Sequence, residues 1–339
     1  MSIVVSLSIS GIVKLNDNRY HTYVIDEPNN PFDLADWVST AARERFATSV
    51  QGAATPIGTL IDTRDHYDAI NRRRLDVALR RFDVRIEQTV LGGVPVAMVT
   101  PTDGVIDDGA LLSLHGGAFM WGAGAGALIE AVPLAAIARR LVIAVDYRLA
   151  PEYLYPAAVD DVLRCYHALT ETRAPASIGI YGCSAGGVLA AQAVARLIEE
   201  RLPLPGAIAM LHATGLELGG DSLALAPVLN SVAEADVVSR LMPLPFLAEA
   251  DEHDPRVFPG NHAAVLTEFP PALLITGTRD FAASSLTVMH RRLLAAGASA
   301  DLVVFDGMWH AHHVDTDLPE AHETFDIMAR FFANHLKTV

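Results

Sequence analysis

The chain has 339 residues, 51% of them hydrophobic and 19% charged. That is long for one compact core and short for two large domains, so one main domain with a smaller accessory piece is expected. A net charge of −15 argues against nucleic acid or an anionic membrane as a partner, because both demand clustered Lys and Arg.

Two cysteines, Cys165 and Cys183, are too few for a disulfide framework and fit a reducing compartment. The opening run MSIVVSLSISGIV lacks a basic flank and is too short to span a bilayer, so a cytoplasmic protein is expected. Alternation of Val5, Leu7 and Ile9 with serines, then NDN at Asn16 to Asn18, predicts a β-hairpin over residues 3–25. From Pro31 to about Phe82 the pattern turns helical and charged, as in DLADWVSTAARERF and YDAINRRRLDVALRRF. Residues 1–85 therefore form an N-terminal segment of their own.

Eight apolar runs bounded by Gly, Pro or polar residues follow. RIEQTVLGGVPVAMVTP holds two of them around Gly92-Gly93, a hairpin signal; ALLSL, LVIAV, SIGIYG, AIAML, PALLITG and ADLVVF are the others. Helical patterns lie between most of them, and this alternation predicts an α/β fold, an eight-stranded, mostly parallel sheet flanked by helices. The rhythm breaks over 213–269, a mixed helical and Pro-rich stretch too long for a loop and read as an inserted lid. It divides the expected core into 86–212 and 270–339.

The run SIGIYG leads into Gly182-Cys183-Ser184-Ala185-Gly186, a G-x-S-x-G between a strand pattern and a helix pattern. In that context the turn projects the Ser184 hydroxyl at the carboxyl edge of the sheet, with helix N–H groups beside it. Cys183 is assigned to packing. His115-Gly116-Gly117-Ala118 ends the third run, and its small residues let main-chain N–H groups approach a developing oxyanion. Gly116, Gly117 and Ala185 are the expected donors, with His115 orienting the loop. A serine hydroxyl needs a base and the base an orienting carboxylate. Asp280 follows the run PALLITG as the expected acid, with Asp254 its rival, and for the base His310, just beyond ADLVVF, competes with His312 and His313. His312 and His313 sit beside it in DGMWHAHHVD. Their spacing matches neither H-E-x-x-H nor a dinuclear arrangement, so no metal and no cofactor are expected.

Taken together, HGGA at His115 to Ala118, DYRLAPE at Asp146 to Glu152, PAAVDD, GCSAGG at Gly182 to Gly187, Asp280 and GMWH at Gly307 to His310 resemble the hormone-sensitive-lipase-like branch of the α/β-hydrolase esterases. The resemblance runs over about residues 90–339. It implies an α/β-hydrolase fold with a helical cap built from the N-terminal segment and the 213–269 insertion, and a cofactor-free carboxylic ester hydrolase; the apolar composition of the expected pocket favours small to medium esters. It also makes His310 the base and leaves His312 and His313 as loop residues near the entrance. Three positions depart from the family: Ala118 for a third Gly, Cys183 for Asp, and Phe281 for Pro. A pocket lined by Phe32, Trp37, Leu244, Phe246 and Phe281 is expected from apolar composition. The same three reactive groups suit lactones, amides or carbamates, and a ligand receptor on a hydrolase scaffold is the alternative from another class. A homodimer is an expected partner state.

Overall fold

The computed structural model describes residues 11–14, 20–23, 33–51, 58–230 and 240–338. The chain divides into two compact units, Met1–Leu34 and Ala35–Val339. In the first, β1 (Gly11–Lys14) pairs antiparallel with β2 (Tyr20–Tyr23); the remainder of the predicted hairpin region lies outside the described residues.

The second unit opens with two helices, α1 (Thr40–Gln51) and α2 (Leu60–Arg81). A capping box starts α2: the Thr59 hydroxyl accepts from the Asp62 N–H while the Asp62 carboxylate accepts from the Thr59 N–H. Its surface is mostly polar, with Asn71 and Ala78 buried where it packs against α3 (Ala125–Ala138).

All eight predicted runs become strands of one sheet: β3 (Val84–Leu91), β4 (Val94–Pro101), β5 (Ala110–Leu114), β6 (Leu141–Val145), β7 (Ile178–Cys183), β8 (Ala207–Leu211), β9 (Ala272–Gly277) and β10 (Ala300–Phe305). Their order is β10-β9-β8-β7-β5-β6-β4-β3. β4 runs antiparallel to both of its neighbours, β3 and β6, and every other pairing is parallel. The β3–β4 turn uses Gly92 and Gly93 at φ of 57° and 79°, a left-handed pair that glycine adopts without side-chain strain.

Strands β5 to β9 are buried along their whole length, which is why they read as unbroken apolar runs. Helices cover both faces. α3 packs on α9 (Pro319–His335), and α4 (Ala157–Thr170) packs on α5 (Ala185–Glu199). Between β8 and β9 the described residues form α6 (Asp221–Leu229), short 3-10 turns and α7 (Ala263–Leu266), and contain no strand. α8 (Ala283–Ala295) then leads to β10.

Side-chain bonds tie the α1–α2 segment to the sheet's loops. The Arg64 guanidinium donates to the carbonyls of Met120 (2.8 Å) and Ala150 (3.0 Å) and grips Glu152. Arg45 and Arg74 both reach buried Asp315 at 2.9 Å. The segment thus clamps the loop after β5 and the loop after β10.

Candidate active site

Strands β7, β8, β9 and β10 are successive neighbours, so whatever follows each of them meets along one carboxyl edge. Ser184 follows β7, His212 follows β8, Asp280 lies just past β9 and His310 just past β10. In such sheets that edge is where ligands bind.

Ser184 stands at φ 54° and ψ −122° as the residue before α5, a strained conformation for a non-glycine residue. The glycines around it make the turn feasible. A Cβ on Gly186 would collide with the carbonyl oxygen of Leu114, and one on Gly182 with the backbone of Gly186. Strand, turn and helix are therefore closer than any side chain allows.

His310 Nε2 lies 3.0 Å from Ser184 Oγ, and its Nδ1 lies 2.8 Å from Asp280 Oδ1. Asp280 is fully buried. Its carboxylate accepts four bonds: His310 Nδ1 and the Ala282 N–H (3.0 Å) on Oδ1, His212 Nδ1 and Thr276 Oγ1 (both 2.7 Å) on Oδ2. Burial raises the carboxyl's pKa, but the two facing imidazoles and their hydrogen bonds outweigh it and hold the group below the usual carboxylate range. The acid is thus kept ionised in an apolar setting. His310 remains 23% exposed, enough for a reacting molecule to reach it, and Phe281 stacks on its ring at 4.1 Å.

The loop after β5 lies against the serine. A Cβ built on Gly116 would stand 3.3 Å from Ser184 Cβ, a tight contact that brings the main chain of this loop close to the serine. Ala118 and Phe119 sit at φ of 50° and 63°, the left-handed region in which a glycine would be unstrained. His115 holds this loop: its ring lies 2.7 Å from the Gly116 carbonyl and stacks on Tyr147 at 4.1 Å, while the Tyr147 hydroxyl donates to the His115 carbonyl at 2.6 Å. Burial pushes the His115 pKa down to about 4, which keeps that imidazole neutral and unsuited to trading protons near pH 7.

Cys183 is buried. Burial, reinforced by the nearby Glu130 and Asp280, raises its pKa well above the ordinary thiol value, so no thiolate competes with Ser184. Asp254, the rival acid, is paired instead with Arg256 at 2.9 Å.

Several lining residues differ from expectation. Phe246 is fully buried in the core, stacked on Phe119 at 4.4 Å, because the Pro-rich stretch turns that ring inward. Trp37 is 78% exposed and donates its indole N–H to Asp306, which places it at the surface rather than in a pocket. Leu244 is partly buried against the core, Phe32 lies outside the described residues, and Phe281 adjoins His310. His312 and His313, expected near an entrance, are both fully buried. The polar partners that draw them inward are Thr324 Oγ1, 3.1 Å from His312 Nε2, and Glu130 Oε2, 3.3 Å from His313 Nε2.

Two residues were not singled out from the sequence. His212 merged with the apolar run AIAML, and Glu130 sat inside a helical pattern; the former's place at the end of a parallel strand was the available signal. Among the described residues, two groups bring metal-capable donor atoms within 4.8 Å of one another: His212, Asp280 and His310, and Glu130, Cys183 and His313. In the first group the carboxylate oxygens already accept hydrogen bonds from the two imidazoles.

The sequence of residues 111–314 matches the family described as alpha/beta hydrolase fold. The chain is 33% identical over 153 residues to the versiconal hemiacetal acetate esterase stcI of Emericella nidulans, a match covering 45% of this chain and 49% of that protein. It is 29% identical over 254 residues to the carboxylesterase NlhH of Mycobacterium tuberculosis, covering 68% of this chain and 76% of the relative. A solved esterase from the bacterial hormone-sensitive lipase family superposes with a TM-score of 0.77 at 28% identity, over 88% of this chain and 99% of that one.

Proposed function

The chain belongs to the alpha/beta hydrolase fold family and is a carboxylic ester hydrolase of the serine type, and from that premise we propose that it cleaves small to medium esters through an acyl-enzyme on Ser184. The observation that carries this reading is the hydrogen-bonded line from Ser184 Oγ through His310 to Asp280, with links of 3.0 and 2.8 Å.

In this reading, as Ser184 Oγ attacks the ester carbonyl, His310 Nε2 takes the hydroxyl proton, and Asp280 holds the imidazole in its Nδ1–H form and stabilises its charge. The main-chain N–H groups of Gly116, Gly117 and Ala185 receive the oxyanion, each contributing about 3 kcal/mol of transition-state stabilisation. His310 then returns the proton to the departing alcohol. Water, deprotonated by the same imidazole, attacks the acyl-enzyme; the acyl–Oγ bond breaks, the acid leaves, and His310 returns the proton to Ser184 Oγ. The described helices α1 and α2 take part in capping the pocket, a role supported by the Arg64 and Asp315 clamps. Phe281 supplies an apolar wall beside the base.

The test is hydrolysis of p-nitrophenyl esters of graded acyl length, set beside lactones and amides. Short acyl chains are expected to turn over fastest, and Ser184→Ala to lose at least a thousandfold in kcat, on the order seen when a member of such a triad is removed. Wild-type turnover in Ser184→Ala would overturn the mechanism.

A further inference from the structure

We propose that His212 is a positioning residue of this hydrolase: it grips the Asp280 carboxylate on the oxygen opposite His310, so that one carboxylate carries two imidazoles of which one works on Ser184. The inference rests on the assignment of Ser184, His310 and Asp280 given above.

The two oxygens of Asp280 are divided between two partners. Oδ1 faces His310 Nδ1 at 2.8 Å and Oδ2 faces His212 Nδ1 at 2.7 Å, with Thr276 Oγ1 also donating to Oδ2 at 2.7 Å. An ionised carboxylate accepts and never donates, so both histidines carry their proton on Nδ1. His212 is set by the sheet itself: its N–H donates to the Ile275 carbonyl at 2.9 Å, one step beyond the Leu211–Ile275 register pair, which aligns it with Thr276. The two donors to Oδ2 therefore come from neighbouring strands.

His212 cannot replace His310 as the base. It is fully buried, and its Nδ1 is committed to Asp280. The titratable groups facing it are Asp280 from the loop after β9, and His310, His312 and His313 from the loop after β10, with ring centroids 5.4, 5.2 and 5.3 Å away. Burial lowers its pKa to about 4, the charge of Asp280 offsetting only part of that. It therefore acts at neutral pH as an uncharged donor. Such a donor has two effects on the base. It stops the carboxylate from rotating away from His310, and by drawing charge toward Oδ2 it weakens the pull of Asp280 on the His310 proton.

Both effects are measurable. In His212→Leu the donor is gone: kcat is expected to fall about tenfold, the scale of one hydrogen bond to a charged group, with KM changed less than about twofold. The acidic limb of the kcat/KM profile is expected to move to higher pH by roughly half a unit or more, because Asp280 then holds the His310 proton more tightly. In His212→Asn the amide nitrogen occupies the place of Nδ1, and both kcat and the limb are expected to return toward wild type; His212→Gln, whose nitrogen lies one carbon further out, is expected not to rescue. Wild-type kinetics and pH profile in His212→Leu would overturn the proposal, as would equal losses in the Leu and Asn variants, which mark a packing role. Should His212→Leu fail to fold, proton NMR decides: two far-downfield imidazole N–H resonances are expected in wild type and one in His212→Asn. A wild-type spectrum with only one such resonance, left unchanged by His212→Asn, would overturn it too. Ser184→Ala run alongside separates the two levels, since turnover there removes the underlying mechanism whatever the His212 variants do.

Discussion

Replacing His313 with Leu tests a buried polar pair beside the turn that carries Ser184. The His313 and Glu130 side chains are 0% and 3% exposed, with Nε2 3.3 Å from Oε2, and Cys183 Sγ lies in the same cluster. Leu fills nearly the imidazole's volume, so the cavity contribution is small and the loss comes from the stranded carboxyl. Left without its partner, that group costs about 1–3 kcal/mol as a neutral acid and about 3–5 kcal/mol as a carboxylate. Glu130→Leu/His313→Leu removes both polar groups, and an apolar pair of similar volume is roughly neutral in stability. Equilibrium urea denaturation of the two single variants and the double variant closes the cycle: His313→Leu is expected to lose more than about 1 kcal/mol and the double variant to recover most of it. Single losses that add within about 0.5 kcal/mol would refute the coupling. The same variants separate stability from catalysis. His313→Leu is expected to lower the urea midpoint while the folded enzyme keeps its kcat within a few-fold, the converse of Ser184→Ala.

Acid sensitivity follows from the buried imidazoles. Burial lowers His115 and His212 from 6.5 to about 4, so between those values the unfolded chain binds protons that the folded one refuses. Stability is complete above about pH 6.5 and falls as pH drops toward 4, by about 3 kcal/mol for each imidazole. Depression of the Asp280 pKa extends the loss to lower pH, because its ionised form is the one stabilised. Urea midpoints at pH 7.5, 6 and 4.5 are expected to descend, and a flat series would contradict the burial argument. Gly186→Ala drives a Cβ into the Leu114 carbonyl. A stability loss of about 1–3 kcal/mol and a roughly hundredfold fall in kcat/KM from displacement of Ser184 are expected, read by thermal melting and p-nitrophenyl ester kinetics; unchanged values in both would mean that the turn can relax.

The sheet was legible because burial on both faces leaves strands β5 to β9 apolar from end to end, and Gly182 and Gly186 marked the turn through a steric demand no other residue meets. Burial of polar groups was not legible. His312 and His313 stand in a polar stretch that local pattern assigns to solvent, and what brings them inside is a pairing with Thr324 and Glu130, remote in the chain or set by the 3-10 turn. His212 was hidden for a related reason: a histidine closing an apolar strand has the same pattern whether it ends in a loop or on a carboxylate contributed 68 residues later. Phe246 failed as a lining residue because apolar composition says that a ring is buried and not which side buries it.

The strand order β7-β8-β9-β10 has a consequence for how such a site can diverge. Ser184, His212, Asp280 and His310 are spaced by main-chain ladders whose roughly 4.8 Å repeat does not depend on side-chain identity. The spacing of these four side chains is thus inherited from the backbone, and mutation can remake the surface charge and the apolar surroundings without disturbing it. Two sequences can therefore diverge widely around such a strand edge while the distances between the side chains it carries stay the same.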